Sequence, residues 1–537
     1  MSLTEGGDGA REAAPARRAR KPKLRVVDAN ESDGRPRIVV GTDLHRVVDE
    51  ASYALTFDPD MYQRGGRLAR VVRVVETDRY MVEGTPKIVD VPAATLTERL
   101  SRFAQFVAVT DDGAVACLPP QSTVLALAAR GQWEDVRPIR AVSETPILRA
   151  DLSACTDVGY DPETACIYAP SCEFPPVPDA PTQGDAMRAL AALCEPFKDF
   201  PYAREADRYV PVAAILTILA RDAIRGSVPA FVFDASTRGS GKSLQTDVIS
   251  IIATGRHAAR KSFPADDVEL EKVLGAYAMA GSRVITFDNV TGRFGGGPLD
   301  AVITSVESVE LRILGRSEVA HVAWGATILA SGNNVEVHSD TVRRVLVCRI
   351  EPAVERPEDR VDFVHPDLRA WVLAERPRLV VAALTVLRAW HCAGRPAGKR
   401  LGSFEAWSDL VPGAIVHAGG ADPMLTRIAD DRDDAELAAL RMLLTGLREH
   451  YPAGVATRKL ADDLYGRREP GYPDGKDSLR EAIESMCHGA SALRPPTSPK
   501  IASAMRRSKG RVVAGMRLDI DGTEHGGAAR WIASSCG

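Results

Sequence analysis

The stretch PAFVFDASTRGSGKSLQTDVISIIA, residues 229–253, decides how the chain is read. Pro229 to Ala235 is a short apolar run bounded by a proline, the pattern of a buried strand. SLQTDVISIIA, from Ser243, opens a helix. The loop between them ends in Gly241-Lys242-Ser243. A strand, a glycine-bearing loop and a helix that starts with Lys-Ser are the context of a phosphate-binding loop. Backbone N–H groups must turn inward there, which favours glycine; a lysine reaches the β/γ-phosphates and a hydroxyl ligates Mg²⁺. The candidate nucleotide contacts are therefore Ser236, Gly239, Ser240, Gly241, Lys242 and Ser243. The usual pattern has glycine where Ser236 stands. That first glycine serves the loop's turn, where a serine is tolerated.

Three further stretches supply partners. VITFDNV, 284–290, is an apolar strand ending in Asp288, a carboxylate placed to hold the Mg²⁺ shell. Its separation from Lys242 leaves room for one helix–strand crossover. The next residue is Asn289, which can orient water but cannot take its proton, so the catalytic base is unassigned. TILASGNN, 327–334, carries Asn333 and Asn334 to a strand end, where an amide can position the attacking water. SDTVRRVLVCRI, 339–350, leads with Arg343 and Arg344 into a strand; a guanidinium given to a neighbour's nucleotide stabilises transition-state charge. Asp288, Asn289, Asn333, Arg343 and Arg344 are the catalytic candidates, and Ser243 and Asp288 the metal candidates. Helices and strands alternate through 182–395, which predicts an α/β fold.

As a set, in this order, these elements resemble the AAA+ core of superfamily 3-like helicases, found in phage, plasmid and satellite primase-helicases. The resemblance covers about residues 185–350. Upstream, LRADLSACTDVGYDPETACIYAP is similar to the segment that precedes the ATPase in such phage proteins. It implies ATP and Mg²⁺ as cofactors, Asn333 as the sensor ahead of Asn334, and Arg343 or Arg344 as a finger acting in trans. A homo-oligomeric ring follows, with a hexamer as the family's expectation. VELRILGRSEVAHVAW, 309–324, reads as a hairpin with Arg316 near its tip. In the family this hairpin lines the pore and touches DNA, so Arg316 is a DNA-contact candidate. The implied function is an ATP-dependent helicase or translocase in replication, acting on single-stranded or forked DNA. No primase site is recognisable, so a separate primase is a possible partner. The competing readings are an ATP-binding initiator or regulator without unwinding activity and, more weakly, a small-molecule kinase.

Working outward, the chain has 537 residues, room for about three domains. Its 45% hydrophobic and 26% charged residues suit a globular protein, and a net charge of −4 confines nucleic-acid contacts to local basic patches. Residues 1–33 read as a disordered basic tail and 34–181 as a mixed α/β domain of unknown role. The apolar helical spacing of ATLTERLSRFAQFV lies within the latter. Pro175, Pro176, Pro178 and Pro181 mark a linker. Residues 182–395 form the P-loop ATPase domain, with a helix break expected at Pro377. Residues 396–537 form a helical and winged-helix-like DNA-binding region. There Ser498 reads as an N-cap before Pro499, and a Gly-rich hairpin follows. Its terminal part is similar to the family's DNA-binding module, with Arg506, Arg507, Lys509 and Arg511 as phosphate contacts. Nine cysteines show no metal spacing. No signal peptide or membrane span is read, and a cytoplasmic location is expected.

Overall fold

The computed structural model describes residues 34–535, apart from 75–83, 112, 307, 313–318, 339, 355, 428–430, 467–474, 488–489, 492–493 and 524–527. At its centre is a five-stranded parallel sheet. In chain order its strands are β1 (Ala230–Ala235), β2 (Arg260–Lys261), β3 (Val284–Val290), β4 (Thr327–Asn333) and β5 (Val345–Ile350). Their spatial order is β2-β3-β4-β1-β5, with every pairing parallel. The α/β class expected from alternation is therefore what the chain adopts.

β1 is buried at all six residues because it has neighbours on both edges and helices on its faces. Helix α1 (Lys242–Thr254) and helix α2 (Asp267–Ala280) make the crossovers that return the chain to β2 and β3. Since all five strands run the same way, their carboxyl ends share one edge. Loops at that edge, where the strand order switches, are where such sheets bind ligands.

Helix α3 (Leu368–Cys392) runs unbroken through Pro377, against the expected break. Proline removes one backbone hydrogen bond and usually bends or ends a helix. Here the buried Val372, Leu379, Val380 and Leu384 lie on both sides of it, and their packing against the core holds the helix together. Helix α4 (Glu405–His417) packs into the same core. Its Trp407 is fully buried and donates from Nε1 to Thr217 Oγ1 at 2.8 Å.

A separate core serves the C-terminal region. Helix α5 (Asp431–His450) leads to β6 (Val455–Ala456), then to α6 (Thr457–Tyr465), α7 (Asp477–Met486) and α8 (Ser498–Arg507). β7 (Val512–Val513), β8 (Met516–Thr523) and β9 (Ala529–Ser535) complete an antiparallel sheet of order β6-β9-β8-β7. β8 and β9 are the hairpin expected from the glycine-rich turn. Ser498 is not the cap of α8. Thr497 holds that position, and Ser498 Oγ instead bonds Thr457 Oγ1 at 3.2 Å, tying α8 to α6.

Residues 34–181 build smaller sheets. The helical reading of ATLTERLSRFAQFV holds only to Phe103. Gln105–Thr110 is a strand parallel to Arg37–Val40, with Phe106 buried in a core that the local spacing does not reveal. Arg64 locks this region to the central domain. It is 8% exposed and donates to the carbonyls of Met279 at 3.0 Å and Ile139 at 2.9 Å. It also donates to Ala278, at the carbonyl-rich end of α2.

Candidate nucleotide site

The loop from Ser236 to Gly241 wraps the start of α1. Gly239 and Gly241 have φ of +70° and +90°, which side chains resist. A Cβ on Gly239 would meet Glu358 Oε2 at 2.7 Å, and one on Gly241 would meet the Phe200 ring at 2.8 Å. Ser236 is not among the positive-φ positions and is exposed. A serine there meets neither strain nor collision, which is why the missing first glycine leaves the loop intact.

Lys242 is 8% exposed, and its Nζ donates to Thr237 O and to Ser240 Oγ, each at 2.8 Å. Burial pulls its pKa below the ordinary lysine value, although the Asp234 and Asp288 carboxylates oppose the shift. The ammonium thus lies inside the loop, held by neutral oxygens that a phosphate could replace.

Three side chains converge beside it. Ser243 Oγ donates to Asp288 Oδ1 at 2.6 Å, and Ser331 Oγ, from the middle of β4, donates to the same oxygen. Arg260 Nη1 lies 3.4 Å from Asp288 Oδ2 and its Nη2 lies 2.6 Å from Asp247 Oδ2. Burial would raise the pKa of Asp288, but the two serine hydroxyls and Arg260 outweigh it, so the carboxyl stays below its ordinary value of 3.8. Its contribution to stability is present above pH 3.8 and is lost as pH falls through the lower folded value.

The two asparagines of TILASGNN separate here. Asn334 has φ +48°, is exposed, and accepts from Arg349 Nη2 at 3.2 Å. Asn333 ends β4 half-buried, and its buried Oδ1 has no hydrogen-bond partner among the described residues. Thr237 Oγ1 in the loop is likewise buried without one. Asn289 sits at a bulge in β3 with φ +54° and an exposed side chain.

The two arginines separate as well. Arg344 Nη1 pairs with Asp300 Oδ2 at 2.9 Å and donates to Asp340 O at 2.8 Å. Arg343 is exposed with no ion-pair partner among the described residues. Arg316 lies outside the described residues; the strands Val309–Arg312 and Val319–Val322 that lead to and from it do pair as a hairpin. On α8, Ile501, Ala504 and Met505 face the C-terminal core, while Lys500, Arg506, Arg507 and the following Lys509 are exposed. Arg511 is half-buried on the segment that follows.

Sequence reasoning missed several residues. Arg349 bonds Asp234 across adjacent strands and so braces β1 directly below the loop. Beside Gly239 and Gly241 opens a cavity of about 670 Å³ walled by Phe200, Leu244, Val354, Phe363 and His365. His365 stacks on Trp371 at 3.9 Å and its Nε2 lies 3.1 Å from Glu195 Oε1. The only sequence signal for this wall is the cluster of prolines and aromatics on both flanks of the sheet, which by itself points nowhere.

No family model matches the chain, and no curated protein matches it. Solved structures similar to it include the apo A form of the NrS-1 C-terminal region, at 11% identity and a TM-score of 0.34, covering 84% of this chain and 93% of that one. JCV helicase is also similar, at 13% identity and a TM-score of 0.21, covering 48% of this chain and 71% of that one. At those TM-scores neither likeness carries an activity over to this chain.

Proposed function

We propose that the chain is an ATP-driven DNA helicase or translocase working in the replication of a phage or other mobile element, with an AAA+ type core. In this reading it acts as a ring with ATP at subunit interfaces. One observation carries the proposal: Ser243 and Ser331 converge on Asp288 behind a loop whose lysine is already turned inward. That donor set is hard oxygen, as Mg²⁺ prefers, and Thr237 and Asn333, each with a buried unpartnered oxygen, follow β1 and end β4 at the same edge of the sheet.

Lys242 would exchange Thr237 O and Ser240 Oγ for the β/γ-phosphates, and the loop amides would hold the rest of the chain of phosphates. Ser243 and Asp288 would hold Mg²⁺, which supplies charge neutralisation at the transferred phosphoryl group. Asn333 would orient the attacking water through its free oxygen. Arg343, uncommitted in its own subunit, would reach the neighbour's phosphates. The large apolar cavity beside the loop has room for the base and ribose. The hairpin and the basic face of α8 would take the DNA.

ATP hydrolysis with and without single-stranded DNA tests this. Lys242→Ala should abolish hydrolysis and leave the fold intact, as read by circular dichroism. Unchanged hydrolysis in that variant would remove the mechanism. A second reading, an ATP-binding initiator or regulator without unwinding, is favoured by Asn289, which puts an exposed amide where such ATPases place a glutamate. Turnover of ATP without strand displacement on a forked duplex selects it.

A further inference from the structure

A second cavity lies at the opposite edge of the central sheet from the phosphate loop. It measures about 430 Å³, and its walls include Arg140, Glu163, Arg221, Asp222, Arg225 and Trp324. Arg221 and Arg225 precede β1, and Trp324 links the hairpin strand Val319–Val322 to β4.

The charges around it do not balance. Asp222 is engaged by an arginine outside this wall, with Oδ2 lying 2.6 Å from Arg283 Nη2. Arg140 reaches Asp222 only at 3.6 Å. Glu163 lies 3.4 Å from Arg149, also outside the wall. Arg221 is 4% exposed and has no carboxylate within ion-pair distance among the described residues. Its Nη1 and Nη2 donate to the carbonyls of Ile224 at 3.1 Å and Trp324 at 2.9 Å, and its buried Nε has no partner. Arg225 is exposed at the cavity and also lacks an ion pair among the described residues. Carbonyls supply hydrogen bonds to a guanidinium but no compensating charge. A buried cation left that way costs several kcal/mol.

We propose that this cavity binds a phosphate oxyanion, with Arg221 and Arg225 as its cationic walls and Arg140 as a third. Guanidinium forks match phosphate oxygens in geometry and charge. The oxyanion comes either from a free phosphate compound or from a nucleic-acid backbone. Because Trp324 holds Arg221 at the root of the hairpin, an anion here would also fix the hairpin's base.

The test uses the full chain, its Lys242→Ala variant and its Arg225→Gln variant. Inorganic phosphate binding is read by calorimetry, and binding of a fluorescent oligothymidylate by anisotropy. Phosphate binding should survive Lys242→Ala and weaken about tenfold in Arg225→Gln, the size of one charge-assisted hydrogen bond. Arg225→Lys, which keeps the charge, should restore part of the loss. A loss confined to inorganic phosphate assigns a free anion. A parallel loss for oligothymidylate, with a shallower salt dependence, assigns a backbone phosphate. If Arg225→Gln changes neither affinity, the site does not exist. Arg225 is exposed, so its variants test the site without disturbing the fold, and the outcome is independent of whether Lys242→Ala stops ATP hydrolysis.

Discussion

Asn289 owes its identity to its backbone. At φ +54° in a β-bulge, asparagine is among the few side-chain-bearing residues that settle readily. A glutamate in this place would carry a left-handed strain that asparagine escapes. Asn289→Gly should therefore leave stability nearly unchanged, while Asn289→Val should cost about 1–2 kcal/mol in urea unfolding. Equal stabilities for the two variants would mean that the strain is not real. Ser236 is the converse case. Its backbone is not left-handed, so the position has no need of the glycine that the usual pattern carries. The same test of φ explains why Gly239 and Gly241, nearer the lysine, are the glycines the loop retains.

At the scale of elements, the short turn Val342–Arg344 before β5 presents two arginines in opposite settings, one ion-paired and one exposed. Arg344 is spent on Asp300, with both side chains largely buried. Arg344→Ala should lower stability by about 1–3 kcal/mol by leaving Asp300 unpaired, read from the denaturation midpoint. Arg343→Ala should leave stability within about 0.5 kcal/mol, as befits an exposed site. It should nevertheless depress ATP hydrolysis by about a thousandfold or more, the worth of an arginine finger. In mixtures with subunits carrying Lys242→Ala, partial recovery of hydrolysis would mark the arginine as acting across an interface; if Arg343→Ala leaves hydrolysis untouched, it has no such role. Helix α3 makes a related point: Pro377 would end an isolated helix, and only burial on both sides of it lets the helix continue.

Across the whole molecule, the N-terminal region and the central domain are joined by a buried cation. Burial lowers the Arg64 pKa to about 10, and the guanidinium is satisfied by carbonyls from both sides of the junction. Arg64→Ala should cost about 2–3 kcal/mol, the value of hydrogen bonds to a charged group, and should expose the junction to limited proteolysis. Unchanged proteolysis would show that the regions dock without it. Among the described residues, no helix is long and apolar enough to cross a membrane. Much of the central fold was legible in residues 229–350, because a glycine-bearing loop between an apolar strand and a helix, an acid at one strand end and an asparagine at another are local patterns. The sequence by itself thus determined the α/β class and the strand–loop–helix around Lys242, and it singled out Ser243 and Asp288, which the fold then brings into contact. It ranked Asn333 ahead of Asn334 and left Arg343 and Arg344 open, and it did not reveal Arg349, Arg260 or either cavity. The contacts of Arg349 and Arg260 were decided by which strands lie side by side. Asp234 meets Arg349 only because β1 and β5 are neighbours, Ser331 reaches Asp288 only because β4 adjoins β3, and a pairing between distant segments leaves no mark on local sequence.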